Sequence, residues 1–221
     1  MARFEIVTTA GEEALVELNR LRARAGTTGL YPILFGNAEE FERLEEGMEE
    51  DFDAAKTLKE SELIILPDWF RSKIESESEL YQTEQGDWPD ECEGEMGLIT
   101  HLDVLSRKPH KEVAIGLLKI ASPWEAFAHL NWGAWNDCPS PEEHCAVHRY
   151  WASKYGAEVV SITSDVVQCA VARPPVDREE SLRLAHEQYI YCYDIVEQGT
   201  ETIAALAAGL VNSKYWYFWW D

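Results

Sequence analysis

The chain ends in "KYWYFWWD", residues 214 to 221, and no other stretch constrains its fold so tightly. In an extended backbone successive side chains point to opposite faces, so Tyr215, Tyr217 and Trp219 take one side and Trp216, Phe218 and Trp220 the other. Both faces are then aromatic and neither suits water, which places the run as a strand within a sheet covered on both sides. An exposed aromatic hook is the competing reading, because large exposed apolar patches mark interaction sites. Membrane insertion is disfavoured: a spanning helix needs about 20 apolar residues, and this short run closes on Asp221.

The rest of the sequence supplies strands to pair with the tail and helices to cover it. "FEIV" (4–7) reads as a strand and "GEEALVELNRLRARAG" (11–26) as a helix with a Leu15, Leu18, Leu21 stripe that closes at Gly26. "LYPILFG" (30–36) has strand length, and Asn37 with Glu40 forms the capping-box order for a helix ending near Lys59. "ELIILP" (62–67) reads as a third strand, which gives the alternation of parallel units in an α/β layer. Further on, "SPWEAFAHL" (122–130) and "SPEEHCAVHRYWASKYG" (140–156) both open Ser-Pro-x-Glu and start helices. "AEVVSIT" (157–163) and "DVVQCAVA" (165–172) suggest a hairpin, a helix follows from Asp177 to about Tyr193, and another starts at Thr200. The expected fold is α/β (α+β), a mixed sheet with helices on both faces and the aromatic tail buried in it. Its expected division is an N-terminal α/β region at 1–67, an acidic loop or insertion and connector at 68–121, and a C-terminal α+β domain at 122–221.

The formal net charge of −22 over 221 residues is concentrated in "NAEEFERLEEGMEEDFD" (37–53) and "ESESELYQTEQGDWPDECEGE" (75–95). Such a field repels nucleic acid and anionic membrane, because phosphate binding needs Lys and Arg to displace counterions. A basic protein partner would be drawn in, with Glu45, Glu46, Glu49 and Glu50 as its candidate contacts. The five cysteines, Cys92, Cys138, Cys145, Cys169 and Cys192, form no CxxC pair and fit reduced thiols in a cytoplasmic protein.

"LNWGAWNDCPSPEEHCAVHRYW" (130–151) is the stretch richest in chemistry. His144 and His148 stand four apart on one helix, the spacing that grips a metal, with Cys138 upstream as a third candidate ligand. Cys145 occupies the place of the glutamate in HExxH, and the same stripe runs on through Val147, Trp151 and Tyr155 into a core, so no metal and no cofactor is expected. Cys138 or Cys145 with one of these histidines is a candidate nucleophile, but no third, orienting group is visible. Trp132 and Trp135, with Asn136 and Asp137 after them, suit a ligand or partner as aromatic anchors with hydrogen-bonding neighbours. Asp194, Glu197 and Gln198, in "YCYDIVEQG", are placed to join Asn136 in one polar pocket. No phosphate-cradling glycine loop and no GxSxG elbow occurs.

"PWEAFAHLNWGAWNDCPSPEEHCAVHRYWASKYGAEVVSITSDVV", "ARPP", "EQYIYCYDIVEQG" and "WYFWWD", in this order from Pro123 to Asp221, resemble the bacterial family called domain of unknown function 4253. The resemblance implies a bacterial, cytoplasmic α+β domain at the C-terminus of a longer chain, and it brings no catalytic residues to carry over. The leading expectation is a non-enzymatic binding protein, an inhibitor or immunity-type protein that neutralises a basic partner such as a bacterial toxin. The alternative is a hydrolase-like small-molecule enzyme with a pocket lined by Trp132, Trp135, Asn136, Cys138 and Asp194.

Overall fold

A computed structural model of the chain describes residues 4–48, 52–76, 81, 83–90 and 97–221. One six-stranded sheet runs through it, formed by β1 (Glu5–Thr9), β2 (Tyr31–Gly36), β3 (Val113–Leu118), β4 (Ala157–Ile162), β5 (Val166–Val171) and β6 (Tyr215–Trp219), in the spatial order β1-β3-β2-β4-β5-β6. β3 pairs antiparallel with both β1 and β2, so those two strands run parallel with β3 inserted between them. The β2–β4 contact is the parallel joint, at Leu34 and Ser161, and the β4–β5 hairpin and β6 complete the sheet antiparallel. The fold is therefore α+β with a mixed sheet.

Four local readings of the sequence change. "ELIILP" is not a strand: its Leu63 and Ile65 are exposed, and Leu66 with Pro67 opens helix α4 (Leu66–Ser76). Proline suits a first helical turn, where its missing N–H would have no partner anyway. The strand that the reading lacked is β3, whose six residues are all buried. Gly116 interrupts its apolar pattern for a packing reason, because a Cβ there would lie 2.1 Å from the Phe35 ring that crosses it. The single helix expected over 37–59 is two, α2 (Ala38–Gly47) capped by Asn37 and α3 (Ala54–Ser61) capped by Asp53, whose carboxylate accepts from the Ala55 and Lys56 amides. Helix α1 (Ala14–Thr28) passes Gly26 and closes at Gly29, which takes the left-handed conformation at φ 69°.

Helices cover both faces. Leu18 of α1 packs with Leu34, Ile115 and Val160 on one side. On the other side α2, α4, α5 (Ala126–Leu130), α6 (Pro141–Tyr155), α7 (Arg178–Tyr191) and α8 (Ile203–Leu210) build the larger core. The aromatic tail lies in the sheet as its edge strand. Trp216, Phe218 and Trp220 are buried against α6 and α7, with Trp151 stacked on Phe218 at 5.5 Å, while Tyr215, Tyr217 and Trp219 face the α1 side half-buried. On that side Gln168 of β5 is fully buried, and its amide holds residues 97–100 by accepting from the Ile99 N–H and donating to the Gly97 carbonyl. Among the described residues, no helix is long and apolar enough to cross a membrane.

Candidate functional site

Helix α5 ends at Leu130, and the chain then turns through a run of unusual backbone. Asn131, Gly133, Ala134 and Asn136 all take positive φ, at 51°, 119°, 68° and 45°. Non-glycine residues pay for this conformation, and such residues gather where a chain must present particular groups. Gly133 is required: a Cβ there would meet the Pro139 carbonyl at 2.2 Å and the His144 ring at 2.8 Å. The loop closes on itself through the Ala134 N–H to Pro139 O and the Cys138 N–H to Trp135 O. Trp132 dips into the core and donates its indole N–H to Thr163 O at 2.8 Å, and the half-buried Trp135 stands edge-on to it at 4.7 Å.

This loop forms one wall of an open cleft of about 420 Å³. Leu130, Asn131, Trp132, Gly133 and Trp135 line that wall, Arg43, Leu44 and Gly47 of α2 form the other, and Ser164 of the β4–β5 turn closes an end. Ser164 donates to the Glu40 carboxylate at 3.1 Å, which ties the turn to α2. Helix α2 carries five glutamates and one arginine, and that arginine, Arg43, is paired with Glu39. Glu42, Glu45 and Glu46 are exposed on the same helix but turn away from the Arg43, Leu44 and Gly47 face, and Arg43 is the one charged residue that lines the cleft. Glu49 and Glu50 lie outside the described residues.

Asn136, Asp137, Asp194 and Gln198 go elsewhere. Asn136 donates to the Asp221 carbonyl at 2.7 Å, the Asp221 N–H donates to Asp194, and Gln198 donates to the other oxygen of that buried carboxylate. Tyr193 donates to Asp137 at 3.0 Å. Asn136, Asp194 and Gln198 are thus linked through Asp221, whereas Glu197 accepts from the Thr83 and Tyr189 hydroxyls. Of the five residues offered for an enzyme pocket, Trp132 and Trp135 line the cleft.

Cys138, His144 and His148 belong to a buried chain of polar groups. The Cys138 thiol lies 3.3 Å from His144 Nε2, and Nδ1 of that ring lies 2.7 Å from the Tyr191 hydroxyl. The same hydroxyl lies 2.8 Å from His148 Nε2, whose Nδ1 faces the Cys169 thiol at 3.6 Å. With every group uncharged, protons run from Cys138 to Cys169 or in the reverse sense, each imidazole donating from one nitrogen and accepting at the other. Burial holds the groups uncharged: it pulls His148 down to about 3 and His144 well below the ordinary histidine range, and it pushes the Cys138 and Cys169 thiols up. Cys145 is likewise pushed up to about 12 by burial.

This geometry sets where both groups of residues singled out in the sequence lie. Both imidazoles turn a ring nitrogen to Tyr191, and among the described residues no three ligating side chains converge to hold a metal. The thiols are buried, and burial raises their pKa and so favours the protonated form. The third group that the sequence did not reveal is Tyr191, far along the chain at the end of α7. Its periodicity is that of any core tyrosine, so no local signal marks it. The cleft residues Arg43, Leu44, Gly47 and Ser164 were equally silent, because only the β2–β4 contact brings α2 beside the 131–135 loop.

Residues 114–221 match a family model described as a domain of unknown function, DUF4253. Neither a curated protein nor a solved structure gives a significant match to the chain. The matched segment contains the whole buried polar chain and the tryptophan wall of the cleft, and the α2 wall lies outside it.

Proposed function

We propose, for a chain whose residues 114–221 belong to the DUF4253 family, a non-enzymatic binding role: the cleft holds a basic protein partner. One observation carries this reading. The glutamate-rich helix and the tryptophan loop, far apart in sequence, meet as the two walls of a single cleft. Leu44, Leu130, Trp132 and Trp135 give it an apolar lining for an anchoring side chain, and the exposed glutamates on the outer face of α2 give its surroundings a negative field that draws a basic partner in. Apolar anchors supply affinity, and charge complementarity supplies association rate and choice of partner.

The partner fits an inhibitor or immunity-type relation, in which an acidic protein neutralises a basic one such as a bacterial toxin domain. Cytoplasmic residence is part of the same reading, supported by four free, buried cysteines that form no disulfide. The net charge of −22 works against nucleic acid and anionic membrane as alternatives. The enclosed, uncharged thiols and imidazoles support a binding role over an enzymatic one.

The test is capture from a lysate of the source cells at low and moderate salt, with wild-type protein and the Glu42→Gln/Glu45→Gln/Glu46→Gln variant as parallel baits. A basic protein held by the wild type, released as salt rises and absent from the variant, is expected. Capture of acidic proteins, or of a partner indifferent to salt and to the three substitutions, contradicts the reading.

A further inference from the structure

Strand β6 stands at one edge of the sheet, and its hydrogen bonds show which of its backbone groups are in use. The Trp220 N–H donates to the Asp165 carbonyl at 3.1 Å, and the Val171 N–H donates to the Lys214 carbonyl at 2.8 Å. Bonded pairs alternate along an antiparallel ladder, so with Phe218 opposite Val167 and Trp216 opposite Cys169 the backbones of Lys214, Trp216, Phe218 and Trp220 face β5. Those of Tyr215, Tyr217 and Trp219 face outward. The Tyr215 carbonyl accepts from the Ser213 hydroxyl at 2.7 Å and the Trp219 carbonyl from the Cys192 thiol at 3.0 Å. Among the described residues neither backbone group of Tyr217 has a partner, and no strand lies beyond β6. Exposed edges are ordinarily shielded by a charged side chain, a proline or a bulge. β6 has none of these: its five residues are all aromatic, and its register with β5 runs without a shift. The opposite edge, β1, carries exposed Glu5 and Thr8.

We infer that β6 pairs antiparallel with β6 of a second copy of this chain, about a two-fold axis at Tyr217, so that the two sheets run on as one. In that register Tyr217 exchanges both of its backbone bonds with the partner's Tyr217, and Tyr215 lies opposite the partner's Trp219. The carbonyls of Tyr215 and Trp219 each keep a second lone pair for the incoming N–H. Charge fixes the direction. Lys214 and Asp221, both exposed, are the charged residues of the 214–221 run and stand at its opposite ends. Antiparallel pairing sets each Lys214 beside the partner's Asp221, whereas parallel pairing sets like charges together. One run thus supplies both halves of the match, which points to a second copy and meets the self-complementarity that a two-fold contact requires. The pairing also covers the half-buried rings of Tyr215, Tyr217 and Trp219 in cross-strand aromatic pairs. At physiological ionic strength the Debye length is about 8 Å, so repulsion between the two acidic bodies is damped while charges in contact keep most of their attraction. The inference concerns the sheet edge and does not rest on the reading of the cleft.

Sedimentation equilibrium of the full chain at physiological salt, from roughly 5 to 500 µM, reads the association, for which a Kd on the order of 10–100 µM suits a contact of one short strand. The wild type is expected to dimerise across this range. Tyr217→Pro removes the outward N–H and leaves the bonds to β5 in place, and it is expected to weaken the dimer about tenfold or more. Lys214→Glu, at an exposed position, is expected to weaken it about threefold, and Lys214→Glu/Asp221→Lys to restore it, because unlike charges then face each other again. Amide hydrogen exchange of the wild type gives a reading that needs no substitution: the Tyr217 N–H is expected to exchange more slowly at the top of the concentration range than at the bottom. A wild type that stays monomeric throughout, a dimer untouched by Tyr217→Pro, or a Tyr217 N–H whose exchange is the same in monomer and dimer overturns the inference.

Discussion

The segment from Leu130 to Trp151 has two sides that solve opposite problems. Its inner side encloses His144 and His148 at 0% exposure, bonded through Tyr191 and flanked by thiols that burial keeps protonated. Its outer side leaves Trp135 half-buried at an open cleft whose opposite wall is helix α2. The residue types that advertise chemistry therefore lie where no solvent reaches, and residues that advertise little form the accessible surface. Environment sets the charge state: burial holds the imidazoles and thiols of the inner side uncharged.

Gly133 joins the two sides, and its replacement is the strongest way to break the division. Gly133→Ala puts a Cβ on the Pro139 carbonyl and the His144 ring at a φ of 119°, so unfolding free energy is expected to fall by roughly 3 kcal/mol or more in urea titrations. A loss under about 1 kcal/mol would mean that loop and core are not coupled in this way.

Acid probes the inner side most strongly. In the folded protein both core histidines are held below their unfolded value of about 6.5, so the unfolded chain binds protons first and stability is lost as pH falls through that value. The loss continues down toward the folded value of His148, about 3. Between pH 7.5 and 5.5 these two groups remove roughly 3 kcal/mol, and His101, His129 and His186, also held down by burial, act in the same direction. Urea midpoints at the two pH values check this, and a flat profile would place the imidazoles in contact with water.

Tyr191→Phe comes next. It leaves one nitrogen of each core histidine facing a hydrocarbon ring, and the expected cost is roughly 2 kcal/mol. Trp135→Ala, on the outer side, is expected to cost under about 1 kcal/mol of stability while weakening partner binding about tenfold. If the two effects were exchanged, the assignment of inner and outer sides would be reversed.

Local chemistry was legible in the sequence wherever a few neighbouring residues decide the outcome. The Ser140 and Glu143 capping box forms in both directions, Asn37 and Asp177 cap their helices, and the tail is a strand of the sheet. What stayed hidden depends on distant partners. β3 is interrupted by a glycine that makes sense only beneath Phe35, and "ELIILP" looks like a strand until α3 and α4 claim its ends. The site divides in the same way. The tryptophans were visible, while α2 as their opposing wall and Tyr191 as the hub of the core histidines required the packed sheet.

The most direct measurement is the indole N–H spectrum of ¹⁵N-labelled protein, with and without saturating partner, after assignment by single tryptophan replacements. Binding at the cleft predicts that the Trp135 and Trp132 signals shift while those of Trp151 and Trp216, deep against the sheet, stay in place. Signals that move at Trp151 and Trp216 and stand still at Trp132 and Trp135 would contradict it.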